Sequence, residues 1–435
     1  MRWILYIPLW LGLAFNLHAQ GNVSERSTIY VLAGTSGANI REFNEMLADK
    51  GISNLRGGYT TLGVGYQYRL SDFILGFELY QNTGANSYYR DYVIDNRSTR
   101  FYMNVGYALT QESNFHLIHY MSLGAGYVNF EMLKDQRNVE DFSAFLQQPE
   151  QGFILRERNI HKGTQNFGGF LTEIGFQFGY DFSLPGLEET VGLLGKFGYS
   201  FSPFEGAWEM NDITFDNLQS GAFFRLGAGL SMPDKNLFFP DAGIGAHFFY
   251  GYNFTKPGML NEYLVNNGLS PFKDQPNNFG MKIIGGNRRW LYSFDVFNIA
   301  NSGRASENQD HTLNSVRLYG NYGYQLYKMR NLELGVMAGL GYGNVRYTLS
   351  KDNKPDFPAL FEEPDYDGYL KSSGLMAKSE VMVAYAIPVF KKMFRMVSSA
   401  HAGYEQPLNK YKFGDLNMTN YMAGPYFQIG LGIRP

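Results

Sequence analysis

The chain has 435 residues, a formal net charge of −3 and no cysteine. The charge gives nucleic acid no hold, and the missing thiols exclude disulfides, thiolate metal sites and cysteine nucleophiles. The 50 glycines, 32 tyrosines and 36 phenylalanines stand beside a mean hydropathy of −0.27, a mixture that suits sheets with one apolar and one polar face.

Residues 1–19 read as an export leader. Arg2 supplies the positive charge, Ile4 to Phe15 is an apolar run, and Leu17-His18-Ala19 precedes Gln20 as a cleavage site. The run is shorter than the ~20 residues that a membrane helix needs. No later segment is apolar enough to be one, so a membrane location after export requires a closed β-barrel.

Period-two alternation then predicts strands at 27–38, 57–69, 72–82, 97–110, 114–130, 168–182, 191–203 and 220–231. A second set follows at 244–255, 277–286, 289–299, 313–327, 331–349, 373–387, 394–405 and 420–433. In the fourth, Arg100, Tyr102, Asn104, Gly106 and Ala108 share one face, while Phe101, Met103, Val105, Tyr107 and Leu109 share the other.

Two short helices interrupt the strands. FNEMLADKGIS (Phe43 to Ser53) returns 217 positions later as LNEYLVNNGLS (Leu260 to Ser270). The same offset sets Gly34 on Gly251, Gly63 on Gly280, Phe77 on Phe294 and Asn104 on Asn321. Near the ends it shrinks to 203, which sets GAFFRLGAGL from Gly221 on GPYFQIGLGI from Gly424. The chain therefore reads as an internal duplication: residues 20–232 form one eight-strand repeat and 233–435 the other. The apolar faces of the two helices (Phe43, Met46 and Leu47; Leu260, Tyr263 and Leu264) are expected to fold onto a barrel rim.

Short and long connections alternate. Short turns fall at 69–72, 111–114, 185–188, 233–236, 286–289, 327–331 and 388–392. Long connections fall at 39–56, 83–96, 131–167, 204–219, 254–276, 300–312, 350–372 and 406–419. In an up-and-down meander this puts every long loop at one end, the layout of a transmembrane antiparallel β-barrel. On these features the chain resembles the outer-membrane β-barrel proteins of Gram-negative bacteria, in a doubled eight-stranded form. Its Ala19-Gln20 junction resembles those of Bacteroidota. The resemblance implies residence in the outer membrane, contact with its lipid, and handling by the barrel-assembly machinery.

The fold class expected is all-β, with about sixteen strands closing once around an aqueous lumen. Two tandem eight-stranded barrels with filled interiors are the alternative. Lumen-facing candidates are Arg100, Glu173, Lys196 and Arg225 in the first half, and Lys282, Asp295, Arg317, Glu333, Lys378, Glu380 and His401 in the second. Inward glycines such as Gly63, Gly65, Gly124 and Gly126 argue for something bulky opposite them. The 131–167 loop, carrying Phe142, Phe145, Leu146 and Phe153, is long enough to constrict a pore.

No catalytic, cofactor or metal set stands out. His116 and His119 are three apart on a strand and face opposite sides. His161 near Glu157 and His311 beside Asp310 lack a third orienting group. The acidic run FEEPDYDG from Phe361 lacks the spacing of a calcium loop and reads as a solvated loop. The expected function is a porin-like channel or transport barrel for small solutes, not an enzyme. The alternative is a non-conducting structural, adhesion or assembly-partner barrel acting through its external loops.

Overall fold

The computed structural model describes residues 26–434 apart from 71, 111–113, 135–140, 148–150, 157–168, 184–189, 204–207, 211–212, 216–217, 234–244, 288, 307–308, 352–358 and 390–393. The expectations for the leader, for His161 beside Glu157, for the turn at 185–188 and for most of the join after Ser231 lie outside these residues.

Sixteen long strands form the frame. The first eight are β1 (Arg26–Gly37), β2 (Gly58–Leu70), β3 (Phe73–Thr83), β4 (Tyr92–Ala108), β5 (Phe115–Lys134), β6 (Phe170–Ser183), β7 (Thr190–Phe201) and β8 (Gly221–Pro233). The second eight are β9 (Gly245–Asn253), β10 (Asn277–Asn287), β11 (Trp290–Ser306), β12 (Gln309–Met329), β13 (Leu332–Lys351), β14 (Asp367–Val389), β15 (Phe394–Pro407) and β16 (Gly424–Arg434). Every pairing among them is antiparallel between chain neighbours, save the two that close the rings.

Those two pairings correct the expectation of a single sixteen-stranded barrel. That barrel needs β8 against β9 and β16 against β1. Instead β8 pairs with β1, from Arg26 opposite Pro233 to Ser36 opposite Phe223. Likewise β16 pairs with β9, from Ala246 opposite Ile433 to Asn253 opposite Tyr426. Each half is a complete eight-stranded barrel, and the alternative reading describes the chain. The physical reason lies inside: eight strands leave an interior just wide enough for side chains to fill, and both interiors are filled. Glycines make the room. A Cβ on Gly63 would stand 2.3 Å from the Tyr80 ring, and one on Gly65 would stand 2.3 Å from the Tyr30 ring.

The burial pattern is the inverse of a soluble protein. Charged and polar side chains are buried inside, while Leu62, Leu193, Leu340, Leu375, Ile429 and Leu431 lie exposed on the outer walls. Closed rings leave no open strand edge, so apolar walls and satisfied backbones together define membrane-type barrels.

The barrels touch side by side. Tyr66 and Tyr68 of β2 point outward yet are only 5% and 7% exposed, because they pack with Ala246 of β9 and Ile283 of β10. Phe248 meets Phe77 and Phe101 edge-on, with centroids at 5.7 and 5.8 Å.

Helices α1 (Arg41–Asp49), α2 (Phe142–Gln147), α3 (Gly258–Asn266) and α4 (Thr419–Met422) all lie in long connections. The repeated phrase now has a structural explanation. α1 buries Phe43 and Leu47, and α3 buries Leu260 and Leu264, each over its own barrel. Gly51 (φ 72°) and Gly268 (φ 76°) stop them in the left-handed conformation that glycine favours. Asn44 then clamps the returning chain, accepting from the Leu55 N–H (2.8 Å) and donating to its carbonyl (2.9 Å). Asn261 does the same to Phe272 at the same two distances.

Candidate functional site

Alternation brings polar residues of opposite walls into contact. In the first barrel Lys196 of β7 is ion-paired with Glu78 of β3, four strands away across the ring. Gln177 of β6 donates to Gln67 of β2 at 2.9 Å, again across the diameter. Arg225 grips Glu173 with two bonds (2.9 and 2.6 Å) and stacks on Tyr80, its guanidinium 3.8 Å from the ring centroid. Tyr30 donates to Glu78 at 2.7 Å. The space left between Tyr30, Gln67, Asn104, Tyr120, Gln177 and Lys196 is about 10 Å³, room for roughly one water.

The second barrel has a different plug on the same plan. Lys282 of β10 is paired with Glu380 of β14 and lies 3.4 Å from Asp295. Lys378 is paired with Asp295 and with Glu380 (3.0 Å). Tyr426 donates to Glu380 at 2.6 Å, and His401 Nδ1 lies 3.2 Å from Lys282 Nζ. Nearer the long-loop end, Arg317 is paired with Glu405, which also accepts from Tyr319 and Asn253, each at 2.6 Å. Burying a charge is costly unless it is paired and hydrogen-bonded, and the pairs Lys196–Glu78 and Lys282–Glu380 meet that demand by crossing the lumen.

All eleven lumen-facing candidates are buried: Arg100, Glu173, Lys196, Arg225, Lys282, Asp295, Arg317, Glu333, Lys378, Glu380 and His401. They do not form one surface. The first four sit in one barrel and the other seven in its neighbour. Sequence reasoning missed Glu78, Glu405, Gln67 and Gln177. Glu78 was findable, since Ile74, Gly76, Glu78 and Tyr80 alternate on the inward face of β3.

Above the plugs sit two apolar caps, and each borrows from the other half. The first barrel's cap combines Ile40, Phe43, Leu47 and Phe153 with Leu360 and Phe361 from the β13–β14 connection. The second combines Leu260, Leu264, Phe272, Tyr411, Phe413 and Met422 with Phe142, Phe145 and Leu146 of α2, from the β5–β6 connection. Phe142 lies edge-on to Tyr347 and Tyr263 at 5.6 and 5.8 Å, and Phe153 to Phe361 at 5.2 Å. The expectation that the 131–167 loop constricts a pore is therefore corrected. Its described apolar residues, Phe142, Phe145, Leu146 and Phe153, lie over the barrel mouths, because with the lumens full the caps are where an aromatic side chain can be buried.

The acidic run holds the exchange in place. Glu362 pairs with Lys50 (3.1 Å), and Asp365 with Lys134 (3.0 Å) and Tyr92 (2.9 Å). Asp367 accepts from the Ile154 N–H at 2.6 Å and pairs in β-register with Gly152. Beside them Arg346 of β13 bonds Glu131 of β5 at 2.7 Å and stacks 3.8 Å over Tyr369. The solvated-loop expectation holds for Glu362 and Glu363, which are exposed, and is corrected for Asp367, which is buried; Glu362, Asp365 and Asp367 also join the halves. No cluster of three metal-ligating side chains occurs among the described residues.

His116 and His119 do face opposite sides: His116 meets Asp181 (2.8 Å) inside, and His119 meets the Phe176 ring outside. Asp310 is the strand neighbour of His311, so the two side chains point to opposite faces. His311 faces Ser270 Oγ (3.2 Å), Tyr347 Oη (3.4 Å) and the Phe272 ring. The exposed apolar wall of β12 begins at Val316, so His311 stands above it, in the second cap. Burial pushes its pKa down to about 4. The unfolded chain takes up a proton near pH 6.5, and the folded cap resists until pH 4. Below pH 6.5 this group therefore removes stability progressively, and above it has no effect. Amide exchange in the second cap is expected to quicken between pH 6.5 and 4 beyond the intrinsic trend, and His311→Gln is expected to abolish the excess.

The fold and the site define a pair of membrane-type barrels with plugged lumens. No family model matches the chain, and no curated protein matches it. Solved structures to which it is similar include the toluene transporter TodX of Pseudomonas putida, at 12% identity over 95% of this chain and 89% of that one, with a TM-score of 0.21. An outer membrane channel from Pseudomonas putida F1 is similar at 9% identity over 97% and 98%, TM-score 0.22. CdiB from Escherichia coli is similar at 10% identity over 96% and 64%, TM-score 0.27. Scores this low carry no argument, and the class of this chain rests on its own pairing and burial.

Proposed function

We propose that this chain is an outer-membrane protein that does not conduct solutes, whose two plugged barrels anchor a shared external cap through which it acts as a structural, adhesion or assembly-partner protein. One observation carries the reading: in each lumen, side chains of opposite walls are in bonding contact, Lys196 with Glu78 and Lys282 with Glu380. A porin-like function needs water where these groups stand. The reading includes a leader removed after Ala19, an origin of the two halves by duplication, a Bacteroidota-type source, and contact with outer-membrane lipid and the barrel-assembly machinery. It assigns no catalysis and no cofactor.

The test is single-channel recording of refolded protein in a planar bilayer, with folding verified first by heat-dependent gel migration. Silence is expected. Large, stable steps would establish instead a solute-passing barrel, the class to which two of the similar structures belong.

A further inference from the structure

The two plugs differ at one pair of matching places. Arg100 on the fourth strand of the first barrel and Arg317 on the fourth strand of the second both point inward and are both essentially inaccessible (0% and 1%). On the seventh strand of each barrel stands the residue that answers them. In the second barrel this is Glu405, which pairs with Arg317. In the first it is Ser200, whose hydroxyl accepts from Arg100 Nη1 at 3.1 Å.

A hydroxyl brings no charge. The other two inward cations at this level of the first barrel have carboxylates of their own. Lys196 has Glu78, and Arg225 bonds both oxygens of Glu173, one of which also accepts from Ser200 Oγ at 3.4 Å. Three cations thus stand against two carboxylates, and Arg100 is the one left over. Its remaining bonds go to neutral oxygens: Nε to Gln219 Oε1 (3.0 Å) and Ser98 Oγ (3.4 Å). Its Nη2 is buried with no partner, as is Nδ2 of Asn82, which lies directly across the ladder from Ser98. A guanidinium withdrawn from water without an anion carries a heavy desolvation penalty, and each orphaned buried donor adds to it.

We propose that the first barrel binds a small monovalent anion at Arg100, where it takes the place that the Glu405 carboxylate fills in the second barrel. The site lies below the first cap, near the Tyr59 ring, whose centroid is 6.0 Å from the guanidinium carbon. An external anion therefore reaches it when the cap opens. The proposal does not depend on what the external face binds.

The experiment uses the full chain, refolded in detergent. Chloride is the probe, exchanged for gluconate at constant ionic strength, and the urea unfolding equilibrium is followed at each concentration. The expected result is saturable stabilisation: at tenfold over its dissociation constant, chloride lowers the unfolded-to-folded ratio about elevenfold. Ser200→Glu, which supplies an internal carboxylate, is expected to remove the chloride dependence, and so is Arg100→Gln. Should one variant fail to fold, the other decides. A wild-type curve indifferent to chloride overturns the site. So does a chloride dependence that survives either variant. Crystals grown in bromide give a direct check, with an anomalous peak expected beside Arg100 Nη2; a bromide-soaked crystal without that peak also overturns it.

Discussion

Glu405→Leu is expected to destabilise the second barrel by about 3–5 kcal/mol, the usual cost of leaving one member of a buried pair alone. The substitution strips Arg317 of its only carboxylate partner among the described residues and leaves the Tyr319 hydroxyl and the Asn253 amide without their acceptor. Arg317 is 1% exposed, so water cannot replace what is lost. Arg317→Met combined with Glu405→Leu is expected to recover most of that loss, because an apolar pair of similar volume needs no charge partner. The check is a double-mutant cycle on urea unfolding in detergent. Additive effects of the two substitutions would mean that the pair is not coupled and the plug has been misread.

Phe142→Ala is expected to cost about 3–5 kcal/mol, the range for truncating a fully buried phenylalanine. The cost should fall on the barrel to which the residue does not belong. Phe142 follows β5 of the first barrel in the chain, yet its ring packs against Tyr263, Tyr347 and Phe413 of the second. Its backbone N–H donates to Asp415 at 2.9 Å, also in the second half. Hydrogen exchange mapped along the chain separates the possibilities. Protection should drop in residues 258–272 and 411–422, and hold in α1. A drop confined to the first half would refute the exchange of caps.

Much of this was legible in the sequence. Every long strand was placed within seven residues of its observed ends, because a wall between lipid and a polar interior enforces period-two alternation. The same alternation identified Arg100, Lys196, Arg317 and Lys378 as inward. Closure was not legible. A strand such as GAFFRLGAGL alternates identically whether β1 or β9 lies on its far side, and nothing local distinguishes the two partners. The glycines did point the right way: Gly63 and Gly65 are inward because Tyr80 and Tyr30 need the space, which implies a narrow ring. The pairing inside each plug was not legible either, since it depends on which strands lie diametrically opposite. The caps were the least readable part. Phe142 and Phe361 sit in connections without periodicity, and their partners lie on the other barrel.

The exchanged caps also separate the order of folding from the order of the chain. Strands β1 to β8 are synthesised first and can pair as successive hairpins before β8 meets β1 to close their ring. Their lid nevertheless includes Leu360 and Phe361, which arrive only after most of the second half has been made. The second barrel in turn is finished by Phe142, Phe145 and Leu146, which have been waiting since before its first strand existed. Neither barrel has a completed native state of its own. The smallest unit with both lids shut is the pair, a dimer built into one polypeptide, each partner carrying the other's closing piece.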